Sequence, residues 1–357
     1  MKLDPRLSAK LKALSALGIA AVIVGHAPSF RDPAAPSLRS VPYAVVEFLC
    51  VDSFIRPVVM MFLAISGWLM FLEHDGTPQT HVRKVAARMR SLLFPYLLWS
   101  ALAIGVYWVL QRAPWTAGWF TNPARRVVDR PIRDLLLLWL FDPIAYQLWF
   151  LRDLIVLVWL SPLLLALLRA AGPLALLPLA VTSFLGIVLP GPVPGVPLLT
   201  SDSYFWYAVG AWFAVKRLPL SDGRRLAVPL GLVMLLLALV RSWGHVTGVL
   251  PHAWVQKAVY VVGVPALWIG YDRWLRGLER PSLQFLTGQA FFVFLAHEPL
   301  MTMLRKPLVR WCGAGDLAHL VELLATLGGT LAIVLPLGVL LRARWPRLYA
   351  FLCGGRG

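Results

Sequence analysis

The chain has 357 residues, 59% of them hydrophobic and 14% charged, with a mean hydropathy of +0.71. Soluble domains are about 45–50% apolar and about 25% charged, so this composition excludes an ordinary soluble domain. It points to an all-α, polytopic transmembrane helical bundle forming a single domain over 1–357. The formal net charge is +17, but Lys and Arg cluster between apolar runs. They read as topology signals and headgroup contacts, not as a nucleic-acid face.

A helix needs about 20 apolar residues to cross the hydrocarbon, and about ten such runs can be counted. They lie near 11–30, 55–73, 91–111, 147–170, 173–190, 203–216, 226–243, 256–274, 284–304 and 317–342. The sixth is short, and 42–51 reads as an additional half-helix. With the N-terminus inside, one set of loops holds Arg83, Lys84, Arg88, Arg90, Arg169, Lys216, Arg217, Arg224, Arg225, Arg273, Arg276 and Arg280. The tail adds Arg342, Arg344, Arg347 and Arg356. By the positive-inside rule both termini are expected in the cytoplasm, although the opposite loop 112–146 carries five arginines of its own. The basic lead Lys2, Arg6, Lys10 and Lys12 precedes an apolar run without an A-x-A cleavage site, which reads as a retained anchor. Cys50, Cys312 and Cys353 have neither metal-ligand spacing nor the number for a disulfide framework, so no metal and no bound cofactor is expected.

The first run, KALSALGIAAVIVGHAP, carries His26 near its far end. An ionisable group in a lipid-spanning helix is costly and reads as functional by default; an interfacial histidine in contact with water is the plain alternative. Ser15 and His26 are eleven residues apart, which puts them on one helix face about 16 Å apart, with Lys12 one turn before Ser15. In DSFIRPVVMMFLAISGWLMF, Arg56 either snorkels to headgroups or pairs with Asp52 four residues earlier. Ser66 and Gly67 suit close helix packing. In VRKVAARMRSLLFPYLLWS, Arg88 and Arg90 face different sides and read either as an anchor or as a phosphate clamp. LWFLRDLIVLVWLSP places Arg152 and Asp153 at a membrane edge, and FLTGQAFFVFLAHEPLM places His297 and Glu298 at a water-filled mouth.

Taken in order, GIAAVIVGH, SFIRPVVMMFLAISGWLM, RMRSLLFPYLLWS, LWFLRDLIVLVWLSP and GQAFFVFLAHEPL resemble the acyltransferase family 3 of integral membrane acyltransferases, most closely bacterial members that O-acetylate surface glycans. The resemblance implies that acetyl-coenzyme A, or another acyl-coenzyme A, binds from the cytoplasm with its phosphates on Lys12, Arg88 and Arg90. His26 would act as general base on a sugar hydroxyl arriving from the outer side. Arg56, Ser66, His297 and Glu298 would serve the oxyanion or the acceptor, by direct transfer or through an acyl-histidine. The family pairs its histidine with an arginine after ten intervening residues; here that position is Ser15, and Lys12 supplies a charge one turn away. A glycan transporter or flippase without covalent chemistry, and a donor-sensing binder, are the alternatives.

Overall fold

The computed structural model describes residues 4–355 apart from 29–38, 75–76, 117–118, 121, 221–222, 250–251 and 276–287. Lys2, Arg276, Arg280, Arg356 and the first residues of the run at 284–304 lie outside the described residues. The rest is mostly helical, joined by turns and loops, with one short antiparallel pair, β1 (Leu189–Pro190) with β2 (Pro197–Leu199). The helices are α1 (Pro5–His26), α2 (Val41–Phe48), α3 (Arg56–Phe71), α4 (Pro78–Arg112), α5 (Ile132–Leu140), α6 (Trp149–Trp159) and α7 (Ser161–Ala171). There follow α8 (Leu176–Phe184), α9 (Ser201–Val215), α10 (Ala227–Thr247), α11 (His252–Gly270), α12 (Ala290–Cys312), α13 (Asp316–Arg344) and α14 (Pro346–Leu352). Among the described residues, six stretches are long and apolar enough to cross a membrane: Pro5–His26, Val41–Phe71, Pro78–Arg112, Ser161–Phe184, Arg224–Thr247 and Asp316–Arg344. The chain is an all-α membrane protein.

Helix ends follow local chemistry. Asp4 caps α1 by accepting from the Arg6 N–H at 3.1 Å, with Pro5 in the first turn, where its missing N–H costs nothing. Thr77 and Pro78 open α4 in the same way. The sequence pattern starts this span at 91, yet the helix starts at 78 and runs 35 residues, about 52 Å. The basic segment is built of Arg, Lys and Ala, all good helix formers, so nothing stops the helix there. The half-helix expected at 42–51 is α2, joined to α3 through a π-helical turn at Leu49–Ser53. In α12 the backbone at Glu298 is non-helical (φ −111°, ψ 140°), immediately before Pro299. Proline lacks the N–H that would have bonded to the carbonyl four residues back, and the Gln147 Nε2 donates to that Leu295 carbonyl instead, at 3.3 Å.

The tightest helix crossing is α3 on α9. A Cβ added at Gly67 would overlap the Tyr207 carbonyl, and one at Gly210 would overlap the Ala64 carbonyl. Small residues let backbones approach this closely, the main route to helix association in lipid. α1 runs antiparallel to the 41–71 stretch: Gly25 lies against Val51 and Ile55, and Gly18 against Val58 and Phe62.

Candidate active site

α1, α3, α4, α6, α9 and α12 enclose a cavity of about 560 Å³. Its wall includes Lys12, Ser15, His26, Arg56, Ser66 and Arg88, six residues singled out from the sequence on three helices. The antiparallel register of α1 and α3 gives their order. His26, Val51, Asp52 and Arg56 occupy one end and Lys12 and Ser66 the other, where Arg88 of α4 interacts with Tyr207, itself packed against Gly67. Fourteen residues of α1 separate Lys12 from His26, about 21 Å at the helical rise.

Four expected placements are corrected. Arg90 does not line the cavity; it is exposed, and its Nε donates to the Ala86 carbonyl at 3.4 Å. Ser66 lines the Arg88 half of the cavity, ten positions beyond Arg56 on α3 and thus about 15 Å from the His26 end. His297 and Glu298 open on no mouth. They are 0% and 2% exposed, behind His26. Arg152 and Asp153 are likewise internal, paired at 3.1 Å, with Ser203 donating to Asp153 at 2.6 Å.

The burial of His297 and Glu298 has a structural reason. His26 Nδ1 and His297 Nε2 are 3.0 Å apart, and His297 Nδ1 lies 3.2 Å from the Val293 carbonyl. A carbonyl only accepts, so hydrogen-bond logic assigns the His297 proton to Nδ1. Its Nε2 is then an acceptor, and His26 donates from Nδ1. The His26 Nε2 is thereby left with the lone pair, on a residue that lines the cavity. The Tyr146 ring packs edge-on to His26, centroids 4.8 Å apart, and its hydroxyl donates to Glu298 Oε1 at 2.8 Å. The last carbonyls of a helix lack intrahelical partners. Here the His26 carbonyl accepts from Arg305 Nη1 at 2.9 Å, so α12 holds both the ring and the backbone of His26.

Arg56 is fixed by its expected pair. Its Nε is 2.6 Å from Asp52 Oδ1, which also takes Arg241 Nη2 at 2.7 Å. Arg241 is 2% exposed and bonds Ser53 through Nη1 at 2.8 Å. Two guanidiniums against one carboxylate leave this end of the cavity net positive. Sequence reading missed Tyr146, Gln147, Tyr207, Arg241 and Arg305. Intramembrane charge marks Arg241 and Arg305 as suspects, whereas the uncharged three give no such signal. Lys10, read as part of a basic lead, is buried and paired with Asp272 at 2.6 Å.

Residues 9–341 match the family described as an acyltransferase domain, the acyltransferase 3 family. The chain belongs to it. This acyltransferase 3 protein is therefore an enzyme, an acyltransferase. It is 24% identical over 308 residues to the succinoglycan biosynthesis protein ExoH of Rhizobium meliloti (strain 1021), a match that covers 84% of this chain and 80% of that protein. No solved structure matches this acyltransferase 3 chain.

Proposed function

We propose that this acyltransferase O-acylates a sugar of a surface polysaccharide or lipid-linked glycan, taking the acyl group, acetyl in the simplest case, from a cytoplasmic coenzyme A thioester. One observation carries the reading: a single cavity joins an imidazole with an unprotonated nitrogen to two cations at its far end, Lys12 about 21 Å away along α1 and Arg88. Lys12 and Arg88 receive the donor phosphates, which arginine binds in a fork; Arg90 is left to headgroups. His26 Nε2 accepts the proton of the sugar hydroxyl. The oxygen forms a bond to the thioester carbon, the C–S bond breaks, and the proton passes from His26 to the thiolate, releasing free coenzyme A. Arg56, at the same end of the cavity, stabilises the oxyanion.

The relative's part in succinoglycan biosynthesis supports a polysaccharide acceptor. In this reading the protein sits in the bacterial cytoplasmic membrane, crosses it ten times, and keeps both termini in the cytoplasm. The donor then enters from the cytoplasm and the acceptor from the opposite face. The test is mass spectrometry of surface glycans with and without the protein, alongside release of free thiol by the purified enzyme. An added acyl mass on one sugar and acceptor-dependent thiol release are expected. Thiol release with no change in any glycan would overturn the acceptor.

A further inference from the structure

Two polar side chains in the cavity wall have atoms without a hydrogen-bond partner among the described residues: the Gln147 Oε1 and the Tyr207 hydroxyl, the latter near the Arg88 charge. Both are enclosed, at 1% and 0% exposure. Gln147 has spent its Nε2 on the Leu295 carbonyl, which leaves Oε1 as an acceptor. It adjoins Tyr146, whose ring packs on His26. Tyr207 sits where α9 crosses α3 at Gly67, in the Arg88 half of the cavity. A buried acceptor or hydroxyl left unpaired carries its full desolvation cost. Two of them on the wall of one cavity mark places where a ligand supplies the partners.

The rest of the wall limits what that ligand is. The same wall carries the apolar side chains of Ile19, Val22, Phe62, Phe291 and Phe294. An oligosaccharide would leave its hydroxyls unmatched against these side chains, and an alkyl tail would leave Gln147 and Tyr207 unmatched. The pantetheine arm of an acyl thioester fits both demands, since it is aliphatic with two amides and one hydroxyl between the sulfur and the first phosphate. Building on the thioester donor of the preceding reading, we infer that Gln147 and Tyr207 are the specificity contacts for that arm. Gln147 Oε1 accepts the N–H of the amide nearest the sulfur. The Tyr207 hydroxyl bonds the distal amide or the hydroxyl beyond it. Lys12 and Arg88 then take the phosphates. The cavity measures the donor, placing the acyl carbon at His26 only when the arm is engaged along its length.

Donors shortened in steps test this: acetyl-coenzyme A, acetyl-pantetheine, acetyl-N-acetylcysteamine, and an analogue of the last in which an ester oxygen replaces the amide N–H. Wild type is expected to prefer the amide to the ester about tenfold in kcat/KM, the range for one hydrogen bond, and Gln147→Leu or Gln147→Met to lose that preference. Tyr207→Phe is expected to narrow the advantage of acetyl-pantetheine over acetyl-N-acetylcysteamine by about the same factor. Each ratio is taken within one preparation, so loss of folded enzyme cancels. A wild type indifferent to the ester, or variants whose ratios match wild type, would overturn the inference. Wild-type turnover of none of the donors would instead overturn the thioester reading beneath it.

Discussion

His26 and His297 share one hydrogen bond, Nδ1 to Nε2 at 3.0 Å, across 271 positions of sequence. With the Val293 carbonyl it forms a chain that fixes which nitrogen of His26 carries the proton. A base positioned by its neighbour differs from one merely present, because the wrong tautomer offers the substrate a donor where an acceptor is needed.

Removing the neighbour should therefore act on turnover. His297→Ala is expected to lower kcat about 10²-fold with little change in the KM for donor. His297→Gln, whose carboxamide oxygen accepts from His26, should recover part of the loss. Steady-state kinetics on purified enzyme check both. A raised KM with unchanged kcat would assign His297 to substrate binding instead.

The same pair shows what the sequence could disclose. An ionisable residue in an apolar run is conspicuous wherever it sits, so His26, His297, Arg56 and Arg88 all stand out. Their relations do not. A place near a helix end predicts a wet mouth for His297, whereas the structure buries it beside the helix break at Glu298. Ser66 was legible as a small residue but not by depth, which depends on the antiparallel register of α1 and α3. Gln147 and Tyr207 are uncharged in a chain rich in aromatic and polar belts, and only the assembled cavity separates them from packing residues. Hydropathy predicts a run of only 91–111 because it sees where lipid ends, not where the helix ends.

Asp52 holds two guanidiniums, Arg56 and Arg241, with single distances of 2.6 and 2.7 Å. Breaking a buried pair by removing one partner typically costs about 3–5 kcal/mol, since it strands the other charge. Asp52→Asn should lower the unfolding free energy of the detergent-solubilised protein by an amount in that range, read as a lowered thermal midpoint. Adding Arg241→Met removes the stranded charge and should restore much of it. If the double variant is as unstable as the single, the carboxylate matters for some other contact.

Gly67 and Gly210 meet the partner helix's carbonyls head-on, at Tyr207 and Ala64. Backbone cannot rotate out of the way as a side chain can. Gly67→Ala and Gly210→Ala should each cost about 1–3 kcal/mol by overpacking. Gly105 on α4 has no atom within 4 Å of a built Cβ, so Gly105→Ala should be neutral or stabilising, by up to about 1 kcal/mol of helix propensity. Intrinsic tryptophan fluorescence during thermal unfolding would resolve the opposite signs. Equal effects at all three positions would mean that helix propensity, and not the crossing, dominates.

Arg88 and Arg90 are two residues apart on α4 and point different ways, the first into the cavity and the second to the outside. A hydrogen bond to a charged group is worth about 1.5–3 kcal/mol, so Arg88→Ala should raise the KM for acyl-coenzyme A by roughly 10- to 100-fold. Its effect should be far smaller with an acyl-pantetheine, which lacks the phosphates. Arg90→Ala should change either KM by less than about twofold, as exposed charges contribute little. Measuring all four values separates a phosphate contact from a general loss of positive charge. Equal KM increases in the two variants would indicate that the donor is drawn by the surface field of the basic segment rather than gripped in the cavity.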